Sequence, residues 1–436
     1  MRIISTPKII FDNVHGNIKL TNIEREIIDT KIFQRLRRIS QLALAEFVFP
    51  GATHNRFAHS LGTMYTISEM FDSLKENVGD RISIPDEDKQ IIRLVGLLHD
   101  LGHLPFSHVF EDLLYEETGK THEDLTLKFI KESKISNILN KNKDMDVDLL
   151  YNILEKNFIP NEEHELNYVS LIDGNLDADK LDYLKRDSIH TGVSYGSIDV
   201  ERILKTISVD DKGLLCILNK GRLALENLCI ARYHMFQTVY LHKTVVAFEK
   251  MLERLYDKLR YDKKDKIFPF IDVFDMDENK FGKYDDSYVW NKIHNYKGID
   301  QFIIEIKDML LSHNSIKLVV DDPILIDPKK DPDRALNLIK YEVHQKSICE
   351  KFEEFNLDWL FIADSRTKFR KSDYSNDPIQ IEFNEENGLK YKDVSELDYS
   401  IMNQLQKEFT NLQVFTHQKY KEKLTKTLKE LHFIKK

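Results

Sequence analysis

Leu97-Leu98-His99-Asp100-Leu101-Gly102-His103 decides the reading of this chain, with Pro105 and Ser107-His108 just beyond it. Upstream, Ile91-Ile92, Val95 and Leu97-Leu98 recur at helical intervals, which predicts a buried helix running into a His-Asp pair. An unpaired carboxylate is costly in an apolar interior. A divalent cation removes that cost, because imidazole nitrogen and carboxylate oxygen both suit transition metals. A single His-Asp pair is more often a surface pair or a helix cap, so the rest of the chain must supply company for this one.

Company comes first from Thr53-His54-Asn55-Arg56-Phe57-Ala58-His59-Ser60. Phe57, Leu61, Met64, Ile67 and Phe71 step at helical spacing, which puts His59 near a helix start with Arg56 three residues before it on the same face. A guanidinium beside a metal ligand suits phosphate. Thr121-His122-Glu123-Asp124 opens another predicted helix, and Ser107 is a candidate cap for a helix carrying Val109, Phe110 and Leu113-Leu114. Asn175 to Asp187 is rich in acids, and on a helix Asp179, Tyr183, Arg186 and Asp187 fall on roughly one side. A charged, exposed helix is the ordinary reading of that run. Asp179 is also the late carboxylate that a site begun by His59, His99 and Asp100 lacks.

The other elements are plainer. Ile3 to Ile10 reads as a strand and Asp12 to Gly16 as a turn. Thr21 and Glu24 form a capping box, and Asp29-Thr30 caps a helix with Phe33, Leu36, Ile39 and Leu42 inside. Its other face, Gln34, Arg35, Arg37 and Arg38, is either a solvated basic face or an anion site. Phe47 to Gly51 reads as extended, Leu149 to Leu154 as helical, and Glu226 to Lys243 as a helix continuing to Leu255. The charged run Tyr261 to Lys266 marks a boundary, giving a core at 1–262 and a C-terminal region at 263–436. There, Ile316–Val320 and Trp359–Ala363 look like strands, Pro323, Pro328 and Pro332 interrupt regular structure, and Asp398–Leu405 and Tyr420–Leu431 look helical. The fold class expected is mainly α, a helical core followed by a smaller mixed α+β region.

The net charge of -10 argues against a general nucleic-acid coat but leaves room for a local basic pocket. Three cysteines, Cys216, Cys229 and Cys349, have neither metal-ligand nor redox spacing. With no signal-peptide pattern and no apolar run long enough for a bilayer, a cytoplasmic protein is expected.

The separated His59, His99-Asp100 and Asp179 resemble the HD-domain metal-dependent phosphohydrolases. Phe49-Pro50-Gly51-Ala52-Thr53-His54-Asn55-Arg56-Phe57-Ala58-His59-Ser60-Leu61-Gly62, His99 to His108, and Asp177 to Tyr183 with Arg186-Asp187 resemble its dNTP triphosphohydrolase branch, which includes the mammalian SAM-and-HD-domain enzyme. The resemblance runs from about Lys8 to Lys243. It implies an HD-domain helical catalytic core, with one divalent metal (Mn, Fe, Ni, Zn or Mg) held by His59, His99, Asp100 and Asp179. His103, His108 and His122 would line the reacting phosphate, with Glu111, where the mammalian enzyme has an aspartate, as a histidine's partner. Arg56, Lys180 and Arg232 would bind the triphosphate, Tyr183 would sit where a 2′-hydroxyl would go, Asp187 and Gln41 near the 3′-hydroxyl, and Tyr240 beside the nucleoside. Lys8, Asp29, Gln34 and Arg37 match a regulatory site for a guanine nucleotide, GTP or dGTP. Phe11 replaces a polar residue of the mammalian second regulatory site, which argues against activation by two nucleotides. A homotetramer follows from the resemblance alone, with the C-terminal region as its assembly or regulatory part. The rival readings are another HD-type phosphohydrolase, a phosphodiesterase or nucleotidase, and a nucleotide-sensing assembly protein without turnover.

Overall fold

The computed structural model describes residues 8–142, 145–160, 165–261, 267, 270–326, 355–367, 379–386, 388–404 and 408–430. The fold is mainly helical, with three small sheets among the described residues. The chain forms two compact units: Met1–Met235 with Phe268–Asn291 and Arg370–Leu405, and Phe236–Ile267 with Lys292–Phe369 and Gln406–Lys436. The sequence suggested one cut at 262/263, whereas the units interleave along the chain. Tertiary pairings, invisible to composition, draw the later segments back into the first unit. The Arg35 side chain bonds Tyr284, and Cys216 pairs with Gln380 in a sheet. Asp262 to Lys266 lie outside the described residues.

The first unit begins with an antiparallel hairpin, β1 (Lys8–Asp12) and β2 (Gly16–Leu20). The Asp12 carboxylate closes its turn by accepting the N–H groups of Val14 and His15, both at 2.9 Å. Residues 3–7 of the expected strand lie outside the described residues. Thr21 and Glu24 form the expected capping box on Asn22–Ile28. Thr30 caps Lys31–Gln34, which tightens into the 3-10 turn Arg35–Arg38. The basic run is not a uniformly solvated face. Arg35 is fully buried, stacks 4.0 Å from the Phe281 ring centre and donates to the carbonyls of Tyr284 and His103, each at 2.6 Å. Instead of a fully extended stretch, Ala45–Phe47 forms a 3-10 turn.

Five helices carry the site: α1 (Arg56–Val78), α2 (Asp88–Leu98), α3 (Glu111–Thr118), α4 (His122–Glu132) and α5 (Ala178–Thr191). Their apolar stripes, including Met64, Ile67 and Phe71 of α1 and Leu94, Val95 and Leu98 of α2, are buried and form the core. Two glycines set the closest approaches. A Cβ on Gly62 of α1 would lie 1.9 Å from Asp182 Oδ1 of α5, and one on Gly102 would lie 2.2 Å from the His122 carbonyl oxygen. Any side chain at either position would push the site apart.

Sequence periodicity missed a four-stranded sheet in this unit. Ile207–Val209, Leu215–Leu218, Gln380–Glu385 and Gly388–Asp393 lie in that order, with Leu215–Leu218 parallel to Gln380–Glu385. The predicted helix from Glu226 to Lys243 is instead Arg222–Met235, followed by a π-helical turn, Phe236–Tyr240, at the unit boundary. Leu241 N–H reaches back to the Phe236 carbonyl at 2.8 Å, a five-residue step that hydropathy spacing does not register.

In the second unit, Lys243–Tyr261 and Gln301–Leu311 are helices. Strands Lys317–Ile326, Glu408–Thr416 and Phe361–Thr367 form an antiparallel sheet in that order. Pro323 lies inside the first of these strands, an edge position that tolerates a missing N–H. Pro328 and Pro332 lie outside the described residues. The helix expected at Asp398–Leu405 is one turn, Ile401–Gln404, in the first unit; that near Tyr420 is Lys421–Glu430, in the second. Leu405 and Leu431 lie outside the described residues.

Candidate active site

Helix ends bring the site together. Asn55 caps α1 by accepting the Ala58 N–H, which places Arg56 and His59 on the first turn. At the other polarity, α2 ends at Leu98. His99 N–H still donates to Val95, and His103 N–H turns back to the Asp100 carbonyl at 3.2 Å. Asp177 caps α5 by accepting the Lys180 N–H at 2.7 Å, so Asp179 sits on that helix's first turn.

Four donor groups converge there. His59 Nε2 is 2.9 Å from Asp179 Oδ1 and 3.6 Å from Asp100 Oδ2. His99 Nε2 is 3.3 Å from Asp100 Oδ1 and 3.8 Å from Asp179 Oδ1. Ligands about 2.1 Å from one cation sit roughly 3.0–3.5 Å from each other, so this spacing fits a single divalent ion. Ring orientation fits too. His59 turns Nδ1 to Asp182 Oδ2 at 2.8 Å, and His99 turns Nδ1 to the Gly96 carbonyl at 2.9 Å. Each Nε2 is thereby left inward, buried and without a hydrogen bond of good geometry. Burial opposes charge on His59, but its contacts with Asp179 and Asp182 outweigh burial and hold its pKa up at about 10. The two carboxylates therefore favour positive charge between them, and a bound cation would supply it in place of the ring proton.

Asp182 is the hub behind this cluster, and sequence spacing gave no sign of it. It is fully buried and meets His59 Nδ1, His15 Nε2 at 2.6 Å, and Arg186 Nε and Nη2 at 2.9 and 3.0 Å. Burial raises its pKa, but Arg186 and the hydrogen bonds from His15 and His59 win and hold it well below the carboxylate range. Arg186 also donates to Asp12 Oδ2 at 2.9 Å, which ties the hairpin turn into the same web. The acid-rich run of α5, which alone would read as an exposed helix, is therefore internal at Asp182, Arg186 and Asp187.

A second cluster abuts the first. His103 Nε2 is 3.3 Å from Asp100 Oδ1, and the His103 and His122 rings stack with centres 3.8 Å apart. His108 is edge-on to His103 at 5.1 Å. Glu111 Oε1 accepts both the backbone N–H of His122 at 3.1 Å and its Nδ1 at 2.8 Å. Burial, followed by the charges of Arg56 and His122, keeps His103 neutral, with its pKa well below the usual imidazole value. Burial opposes ionisation of Glu111, but its bond to His122 prevails and lowers its pKa. Arg56 reaches Asp100 Oδ2 at 2.5 Å, Ser107 Oγ at 2.9 Å and His108 Nε2 at 3.3 Å. Ser107, expected to cap a helix, instead donates Oγ–H to the Ser40 carbonyl at 2.7 Å. It belongs to a 3-10 turn that precedes α3.

The remaining candidates fall into smaller groups. Lys180 Nζ bonds Asp177 Oδ2 at 2.6 Å. Burial raises the Tyr183 pKa, against the pull of the neighbouring Arg232 and Lys180 charges. Gln41 and Asp187 converge on His54: Gln41 N–H donates to the His54 carbonyl at 3.1 Å, and His54 Nε2 is 2.7 Å from Asp187 Oδ1. Lys8 and Asp29 form a 3.8 Å ion pair, while Arg37 Nε donates to Gln34 Oε1 at 2.9 Å and lies over Phe57. Tyr240 belongs to the second unit.

Residues 56–187 match the HD domain, from Arg56 at the start of α1 to Asp187 in α5, and residues 198–305 match the HD associated region. A protein of Methanocaldococcus jannaschii of uncharacterized function, MJ1154, is 35% identical over 289 residues, covering 66% of this chain and 57% of its own length. Human SAMHD1, named a deoxynucleoside triphosphate triphosphohydrolase, is 31% identical over 277 residues, covering 57% of this chain and 44% of its own length. The chain therefore spans little more than half of the first of these relatives and less than half of the second. The crystal structure of a hypothetical protein from Aquifex aeolicus superposes with a TM-score of 0.74 at 28% identity, covering 97% of this chain and 100% of that one. With the HD ligand order, the associated region and these relatives in agreement, the chain belongs to the HD-domain phosphohydrolase family, with SAMHD1-type dNTP triphosphohydrolases among its kin.

Proposed function

We propose that this chain hydrolyses deoxynucleoside triphosphates to a deoxynucleoside and inorganic triphosphate. The observation that carries the reading is the contact between the His59, His99, Asp100, Asp179 cluster and the histidine cluster around His103 and the Glu111–His122 pair. A divalent cation held by the first four residues would act as a Lewis acid on a phosphoryl oxygen. Arg56, Lys180 and Arg232 offset the charge of the triphosphate and orient it. Water attacks the α-phosphorus, the bond to the 5′-oxygen breaks, and that oxygen takes a proton as it leaves. Glu111 holds Nδ1 of His122 and so fixes the ring's orientation, leaving its other nitrogen to take a proton from water or give one to the 5′-oxygen. His103, kept neutral, offers one ring N–H to the phosphate without adding charge.

Tyr183 excludes a ribose 2′-hydroxyl by bulk, and Gln41 and Asp187, both linked to His54, read the 3′-hydroxyl. Lys8, Asp29, Gln34 and Arg37 bind a guanine nucleotide activator, and the active form is a homotetramer in the cytoplasm. No helix among the described residues is long and apolar enough to cross a membrane. The test is a panel of dNTPs and NTPs with several metals, with and without GTP, scored for triphosphate. Release of pyrophosphate or monophosphate instead would favour another HD-type phosphohydrolase, and binding without product would favour a sensor. His99→Ala and Asp179→Ala should each lose metal and turnover together.

A further inference from the structure

The loop that carries His103 and His108 contains two consecutive non-glycine residues in the left-handed region, Phe106 at φ 56° and Ser107 at φ 52°. Ala43, at φ 46°, is a third, in the neighbouring loop that carries Gln41. Side chains disfavour this conformation, so such backbones persist only where surrounding contacts over-determine them.

Those contacts converge on one carboxylate from the HD associated region. Asp286 Oδ1 accepts the Phe106 N–H at 2.7 Å, and Asp286 Oδ2 accepts the Ser40 N–H at 2.8 Å. The other side of Ser40 is also bound: its carbonyl accepts from Ser107 Oγ at 2.7 Å, and its Oγ donates to the Ala43 carbonyl at 3.1 Å. The same segment grips the loop twice more. Trp290, one helical turn after Asp286, meets the Phe106 ring edge-to-face with centres 5.6 Å apart. Arg35 spans from the Tyr284 carbonyl to the His103 carbonyl, both at 2.6 Å.

We propose that Asp286 is a positioning residue, whose two carboxylate oxygens strap the histidine loop and the Ser40–Gln41 loop into one rigid frame. The inference rests on the phosphohydrolase reading for its effect on rate, but the strap itself does not. Asp286 lies far along the chain from the HD ligands and touches no donor of the cation cluster. Its effect is on where His103 and His108 stand. An asparagine here has one acceptor and one donor, and its NH2 group must face a backbone N–H. Asp286→Asn therefore cuts one strap, and Asp286→Ala cuts both.

The test compares the wild type, Asp286→Asn and Asp286→Ala by turnover, bound-metal stoichiometry and amide exchange, all well below each melting temperature. Asp286→Asn should lower kcat by about tenfold or more, and Asp286→Ala by more again, because sub-ångström misplacement of reacting groups is costly. KM should rise by less than kcat falls: Gln41 lies on a strapped loop and Arg56 bonds Ser107 of the other, but Lys180 and Arg232 lie on neither. Metal content should match the wild type, and exchange should quicken in residues 39–43 and 104–108. A wild-type kcat in Asp286→Ala, or unchanged exchange in both segments, overturns the proposal. A wild type that hydrolyses no dNTP overturns the functional reading instead, and exchange then decides the strap alone.

Discussion

His59 Nδ1 lies 2.8 Å from Asp182 Oδ2, and this contact settles which nitrogen of the ring faces the cation cluster. A carboxylate behind a metal-binding histidine fixes its tautomer and raises its basicity, and losing such a partner typically costs about 10- to 100-fold in metal affinity. Asp182→Asn should weaken Mn2+ binding by roughly that factor. Gly96, which holds His99 through a backbone carbonyl, offers no comparable side chain to remove. A manganese titration followed by electron paramagnetic resonance reads the effect directly. Wild-type affinity in Asp182→Asn would mean that packing alone orients His59.

Glu111 does for His122 what Asp182 does for His59, but on the side of the reaction. Its Oε1 holds both the backbone N–H and Nδ1 of His122. Glu111→Gln keeps the shape and removes the carboxylate that holds Nδ1 of His122. Turnover should drop by about 100-fold, within the usual range for a lost acid-base group. Metal stoichiometry should not change. Joint loss of metal and rate would assign Glu111 to the cation instead, as its closeness to His103 and His108 allows.

Burial and neighbouring positive charge depress the folded-state pKa of His103 well below its ordinary value of 6.5. The unfolded chain takes up a proton below that pH that the folded chain refuses. The unfolded state then binds more protons, so stability is full above about pH 6.5 and falls as the solution is acidified. In thermal melts from pH 7.5 down to pH 4.5, the wild type should lose more stability than His103→Asn. Parallel curves for the two proteins would show that His103 protonates freely in the folded state.

Much of the candidate site is legible in the sequence because histidines and carboxylates near helix ends leave local marks. His59, His99, Asp100 and Asp179 each sit within a turn of a cap or a helix end that apolar spacing locates. Asp182, His15 and Arg186 left no such mark. Their meaning lies in contacts across more than 100 residues, such as His15 to Asp182, and in a turn or on a helix such residues read as ordinary surface charge. Arg35 shows the same limit: within a basic run it looks solvated, yet it is buried between Phe281 and two carbonyls. The sheet that pairs Cys216 with Gln380 joins distant short strands, and short apolar runs carry little periodicity of their own.

Gly62 tests whether the web behind His59 is as tightly built as its distances imply. An added Cβ would meet Asp182 Oδ1 at 1.9 Å and Arg186 Nη2 at 2.3 Å, and neither atom is the free end of a mobile surface chain. Gly62→Ala must displace the buried Asp182–Arg186 pair, and breaking such a pair costs on the order of 3–5 kcal/mol. It should also weaken cation binding, because Asp182 orients His59. Gly79→Ala is the contrast. Gly79 has open space for a Cβ but sits at φ 55°, ψ -133°, a conformation that side chains rarely adopt, so backbone strain of about 1–3 kcal/mol is expected, with metal affinity unchanged. Chemical denaturation with a parallel metal titration separates the two. If Gly62→Ala behaves like Gly79→Ala in both measurements, Asp182 has room to move, and the orientation of His59 must come from elsewhere.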